Sequence, residues 1–219
     1  MSSAATSRAI LLAASYPPRE YKSKADSHEI AAAVKALVGA VFQQGWTLVF
    51  GGHPAVSPLI LMIAREYGQK NRVVIYQSRY FFHHISPATR ALTDEEFGKI
   101  EFIPNDPTEM PPGPSARIDP TKCPRSLTTM RERMIEHPGV AGLVLVGGDT
   151  GLRQELDLFS KMNNHLPVIP IGGPGGIARE LVPEARAFGM PSAVLGALPE
   201  SHNYLTLCTR IVQYLASRH

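Results

Sequence analysis

The chain has 219 residues, two cysteines and a formal net charge of +3, with 44% of its residues apolar. That length suits one α/β domain with a sizeable buried core and is short for two, and the small charge gives no electrostatic footprint for nucleic acid. The N-terminus does not read as a secretory leader and the apolar runs are much shorter than a membrane span, so the expected compartment is the cytoplasm, with no membrane partner.

Arg8 to Ser15 is a continuous apolar run of strand length, as expected of a central parallel strand buried on both faces. Ser27 reads as an N-cap, and Ile30, Val34, Leu37, Val38, Val41 and Phe42 follow near helical spacing until Gly45. Trp46 to Phe50 is a second strand, and Pro54 to Tyr67 a second helix with Pro58 in its first turn. Val73 to Tyr76 and Ile100 to Ile103 are strands three and four. Gln77 to Gly98 reads as irregular, and proline-rich Asn105 to Pro124 as a loop or excursion. Ser126 to Glu136 is a helix, Gly142 to Val146 a strand, Gly151 to Asn163 a helix, Val168 to Ile171 a strand, and Gly175 to Ala187 a helix. A connector from Gly189 to Ser201, with a short strand near Ser192 to Leu195, leads to a closing helix over Asn203 to Ser217.

Strands and helices alternate throughout. The predicted fold is therefore α/β: a single Rossmann-like domain over residues 1–219, with a doubly wound, mostly parallel sheet and helices on both faces. Its core runs over about residues 8–187. In such sheets ligands bind beyond the carboxyl ends of the strands, at a switch point.

Three strand–Gly-Gly–helix junctions lie at those ends. The strongest is Val144-Leu145-Val146-Gly147-Gly148-Asp149-Thr150-Gly151, with Glu155 one turn into the helix. Glycines permit positive φ and close backbone approach, so backbone N–H groups can close on a phosphate at a helix N-terminus. Gly51-Gly52-His53-Pro54 and Gly172-Gly173-Pro174-Gly175-Gly176 repeat the pattern more weakly. Glu155 is placed to hold ribose hydroxyls or to stabilise an oxocarbenium-like centre; a helix-dipole role is the structural alternative. On the preceding helix, Arg131 and Arg133 are two residues apart and point to opposite faces, so at most one addresses the site. Ser15, Tyr16 and Arg19 follow the first strand, with Pro17-Pro18 making that segment a loop. His53, Gly173 and Gly175 complete the candidate ligand-binding set. His83 and His84 lack metal-site spacing, and Cys123 and Cys208 are expected to be unrelated reduced thiols. No Walker lysine, nucleophile elbow or Gly-x-Gly-x-x-Gly fingerprint is present. No metal and no cofactor are expected.

Met130-Arg131-Glu132-Arg133-Met134, followed by a strand, Gly147-Gly148 and Glu155, resembles the LOG-type signature, a Met-His-x-Arg-Lys helix before a Pro-Gly-Gly-x-Gly-Thr-x-x-Glu turn. The wider resemblance, over about Arg8 to Ala187, is to the SLOG superfamily of Rossmannoid domains that bind or process nucleotides. It matches Arg133 to the family's arginine and Glu155 to its glutamate, and makes both catalytic if the protein is an enzyme. Arg131 stands in place of the histidine and Met134 of the lysine. Val146 stands where proline is expected, Thr150-Gly151 reverses the Gly-Thr pair, and one extra residue precedes Glu155. The Gly51-Gly52-His53-Pro54 turn is similar to SLOG domains found beside TIR-like prokaryotic immune effectors. That resemblance implies a sensor of an ADP-ribose-like or cyclic ADP-ribose-like signal in antiviral defence, working through homo-oligomerisation or an effector protein. The closing helix and the 77–125 excursion are its candidate interfaces. The alternative is a phosphoribohydrolase that cleaves the N-glycosidic bond of a nucleoside monophosphate.

Overall fold

The computed structural model describes residues 8–16, 25–116 and 119–218; Pro17, Pro18 and Arg19 lie outside them. Strands β1 (Ala9–Ser15), β2 (Thr47–Gly51), β3 (Val73–Ser78), β4 (Lys99–Ile103), β5 (Val140–Gly147) and β6 (Val168–Ile171) form one sheet among the described residues, in the order β4-β3-β2-β1-β5-β6. Every pairing is parallel. The helices are α1 (Ser27–Gln43), α2 (Ser57–Glu66), α3 (Pro87–Asp94), α4 (Pro124–Ile135), α5 (Thr150–Met162), α6 (Ile177–Glu180), α7 (Ser192–Leu195) and α8 (Tyr204–Ser217).

Strand alternation divides the core in two. Ile10, Leu12, Leu48, Phe50 and Ile75 pack with α1, α2 and α8 on one face. Ala9, Leu11, Val49, Val74 and Leu145 pack with α4, α5 and α6 on the other. Both faces of β1 are covered, which is why its sequence is apolar without alternation. No helix among the described residues is long and apolar enough to cross a membrane.

Several boundaries differ from the sequence reading for local reasons. Asp26, not Ser27, caps α1, accepting from His28 N–H at 2.7 Å and Glu29 N–H at 3.2 Å. The segment expected to be irregular contains a 3-10 turn over Arg79–His84 and then α3. Ser86 caps α3 with Pro87 in its first turn, and only Thr89 and Leu92 are buried in it. Capping rather than an apolar stripe makes that helix, so periodicity misses it. The helix expected over Gly175–Ala187 is only α6 plus a 3-10 turn at Val182–Glu184, because Pro183 cannot continue it. Ser192–Leu195 is a helical turn, not a strand.

The proline-rich excursion is tied to α4. Glu109, 9% exposed, accepts from Arg125 N–H at 2.8 Å and Ser126 N–H at 2.9 Å, satisfying two otherwise unpaired amides of the helix start. The Ser126 hydroxyl accepts in turn from Asp106 N–H at 2.9 Å. This staple fixes the helix that carries Arg131.

Candidate functional site

β1 and β5 lie side by side, but the chain leaves them for opposite faces of the sheet, towards α1 and α5. That divergence opens a crevice above their carboxyl ends. A cavity of about 1060 Å³ occupies the rim. Ser15, Gly51, Gly52, His53, Asp149, Thr150, Gly151, Arg131 and Glu155 all line it.

The three glycine turns do different work. Gly147 and Gly148 sit at φ +63° and +75°, and a Cβ on Gly147 would stand 2.6 Å from Ile30 Cδ1 and 3.0 Å from the Ser15 carbonyl oxygen. Both are required by the turn and stand behind the cavity wall. Asp149 caps α5 by accepting from Gly151 N–H at 2.9 Å. The N–H groups of Asp149 and Thr150 have no partner among the described residues.

The Gly51-Gly52 turn has no amide to spare. Gly52 N–H donates to Tyr76 O, His53 N–H to Gly51 O, and Val56 and Ser57 N–H to His53 O. Ala55 N–H donates to His53 Nδ1 at 3.3 Å. This turn offers the cavity a side chain and space, not backbone donors. Burial holds His53 below the usual imidazole range, against the pull of the Asp149 charge, so it is neutral at pH 7.

The Gly172–Gly176 turn is outside the site. A Cβ on Gly176 would stand 2.7 Å from the Gly147 carbonyl carbon, and one on Gly173 would overlap the Ser201 carbonyl oxygen. Ile177 N–H donates to Gly148 O at 3.1 Å. Gly176 lets the β6–α6 crossing lie against the Gly147 turn. Neither Gly173 nor Gly175, both in the ligand-binding set read from the sequence, lines the cavity.

The guanidinium of the site is Arg131. Arg133 is 65% exposed on the far side of α4 and pairs with Glu136 at 3.3 Å. Arg131 is 13% exposed, with Nε 3.6 Å from Glu155 Oε1 and Nη1 donating to Gln154 Oε1 at 2.9 Å. Its Nε is buried and makes no hydrogen bond among the described residues. Arg133, which the resemblance matches to the family's arginine, does not line the cavity, because residues two apart on a helix face opposite ways.

Glu155 is 16% exposed. Burial pushes its carboxyl up to about 7; the Arg131 charge opposes the rise and the Asp149 charge adds to it. The site therefore holds a fixed cation, a capping carboxylate and an acid that titrates near neutrality. Cys123 and Cys208 are buried, and burial pushes their thiols up to about 11 and about 12, so neither is a thiolate nucleophile.

The sequence reading missed further walls of the cavity, which include Gln77, Phe81, His84, Ile85, Ile100 and Leu127. The available signal was Gln77, a polar residue in the buried phase of an otherwise apolar strand.

The X-ray structure of TM1055, a Northeast Structural Genomics Consortium target, shares the fold, with a TM-score of 0.52 over 80% of this chain and 81% of that chain at 15% identity. No curated protein matches the sequence. The model of the SLOG cluster3 family matches residues 20–112 and 113–195. The chain belongs to the SLOG cluster3 family.

Proposed function

We propose that the rim cavity binds a nucleotide-derived ligand of ADP-ribose type, including cyclic forms, and that the protein works as a sensor of that ligand. The observation that carries this reading is Arg131: a mostly buried guanidinium, 3.6 Å from Glu155 at its Nε, on the wall of a large cavity at the switch point of a parallel sheet. A phosphate oxygen matches a guanidinium fork.

The roles follow from charge. Arg131 takes a phosphate, with Lys161 the other fixed cation on the cavity wall among the described residues. The Asp149 carboxylate already occupies the N-terminus of α5, which disfavours an anion there and suits a ribose hydroxyl. Glu155 takes a second hydroxyl, as acceptor or donor according to pH. The cavity volume lies at the upper end of the range for small-molecule sites, which suits a ligand larger than a mononucleotide.

A sensor must pass its state to another surface. We place that surface on α8 and the 77–125 excursion, with a second copy of the chain or an effector protein of a prokaryotic antiviral system as the recipient.

Glu155 supports a second reading, N-glycosidic hydrolysis. A carboxyl near pH 7 beside a guanidinium can stabilise positive charge at C1′ while water adds there and the C1′–N bond breaks, the proton passing to the departing base. Calorimetry with AMP, NAD, ADP-ribose and cyclic ADP-ribose, with chromatography of each mixture, separates the two. The sensor reading expects binding with the ligand recovered intact. Free base released by the wild type and not by Glu155→Gln replaces it with the hydrolase.

A further inference from the structure

Arg131 already has partners within the chain. Its Nη1 donates to Gln154 Oε1 at 2.9 Å, and its Nε stands 3.6 Å from Glu155 Oε1. Both partners lie in the N-terminal half of α5, and all three side chains line the cavity. Glu155 is only 16% exposed, so its charge leans on the guanidinium rather than on bulk water. An anion that comes to Arg131 must share it with this carboxylate. Two like charges that close, away from water, disfavour each other's ionised form, and the one that can take a proton does so.

The neighbouring charges leave Glu155 as the group that yields. The other charged or titratable groups on the cavity wall, among the described residues, are His53, His84, Arg131, Asp149, Asp157 and Lys161. Asp149 is engaged as the cap of α5, accepting from Gly151 N–H at 2.9 Å. His53 Nδ1 accepts from Ala55 N–H at 3.3 Å, and burial keeps the ring neutral at pH 7. His84 Nε2 lies 2.9 Å from the Ala116 carbonyl oxygen. Asp157 and Lys161 are exposed, farther along α5. Burial carries the Glu155 carboxyl up to about 7, with the Arg131 charge opposing the rise and the Asp149 charge adding to it.

We propose that the Glu155 carboxylate is a built-in competitor for Arg131, so that an anionic ligand is taken up together with a proton on Glu155. The proposal rests on the nucleotide-ligand reading above. The exchange balances in charge. A phosphate oxygen of the ligand replaces the carboxylate at the guanidinium, and a proton from solvent neutralises the displaced carboxylate. The resulting O–H donates to a ligand oxygen, so the acid keeps a hydrogen bond and loses the repulsion. The ligand-bound protein then holds a proton that the free protein has lost above pH 7. By linkage, affinity falls as pH rises through that value.

The test is calorimetry with ADP-ribose, whose pyrophosphate is ionised throughout, at about pH 6 and about pH 8 in buffers of different ionisation enthalpy. Wild-type affinity should fall about ten-fold between the two values. At the upper pH, the slope of heat against buffer ionisation enthalpy should show most of a proton taken up per ligand. Glu155→Gln has the shape of the protonated acid and no charge. Its affinity should change by less than about two-fold over the range and exceed that of the wild type about ten-fold at the upper pH. Wild-type affinity that ignores pH, with no proton taken up, overturns the exchange and leaves the nucleotide reading in place. A pH dependence that persists in Glu155→Gln moves the proton to another group, His53 first, and overturns it equally. Binding by neither protein, with both folded, overturns both readings. If Glu155→Gln does not fold, the wild-type Glu155 carboxyl carbon resonance decides. At the upper pH, saturation with ADP-ribose should move it from its ionised to its protonated position, and an unmoved resonance overturns the proposal.

Discussion

Glu155 makes a prediction that involves no ligand. Its carboxyl titrates at about 7 in the folded protein and at the ordinary 4.5 once unfolded. Between those values the folded chain holds a proton that the unfolded chain has lost, so stability falls as pH rises through the window and levels off above it. A difference of this size corresponds to about 3 kcal/mol at about 1.4 kcal/mol per pH unit, and the side chain is only 16% exposed, so solvent screens little of it. Glu155→Gln removes the titrating group and keeps the shape. Urea unfolding of both proteins at pH 5 and pH 8 gives the double difference, in which the other titrating groups largely cancel. The wild type should lose about 2.5 kcal/mol more than the variant between the two pH values, since the unfolded carboxyl is already largely ionised at pH 5. A double difference under about 0.5 kcal/mol, or one of opposite sign, refutes the account of a buried acid at the cavity.

The two arginines of α4 should separate cleanly. Arg131→Met should weaken ADP-ribose binding by about ten-fold to a hundred-fold, whereas Arg133→Met should leave binding intact and shift stability by less than about 0.5 kcal/mol. Equal effects in calorimetry would return the site to the register of the sequence signature. Because the Arg131 charge holds Glu155 down, Arg131→Met should also move the Glu155 titration upward in a carboxyl NMR experiment, and an unmoved or lowered midpoint would deny the pairing. Gly176→Ala places a Cβ 2.7 Å from the Gly147 carbonyl carbon at a φ of +69°, and chemical denaturation should show a loss of about 2 kcal/mol or more. Phe159 is fully buried, and Phe159→Ala should cost about 3–5 kcal/mol by the same measurement.

The fold was legible because its signals are local and repeated. β1 reads as a two-faced strand from composition alone, and the alternation of strands and helices requires parallel crossovers. What escaped was set by contacts distant in sequence. Gly173, Gly175 and Gly176 look like ligand-binding glycines on paper. Gly176 lacks a side chain because of the Gly147 turn and Gly173 because of the Ser201 carbonyl, which only folding brings beside them. Arg131 and Arg133 differ by a rotation about the α4 axis, and a signature counted along the chain does not fix which of them faces α5. The amides of the Gly51-Gly52 turn look available in sequence, but Tyr76, Gly51 and His53 take them. The Ser86 and Thr89 wall of the cavity depends on α3, whose capping signal at Ser86-Pro87 is weaker than an apolar stripe.

The central claim is that the buried Arg131 guanidinium waits for an anionic group of a nucleotide-derived ligand. Calorimetric titration of ADP-ribose into the wild type and into Arg131→Met, at 50 mM and 200 mM salt on the order of laboratory practice, tests it most directly. The account predicts saturable binding to the wild type at a single site, lost or weakened at least about ten-fold in the variant. Equal binding by both proteins, or no heat from a wild type shown to be folded, would contradict it.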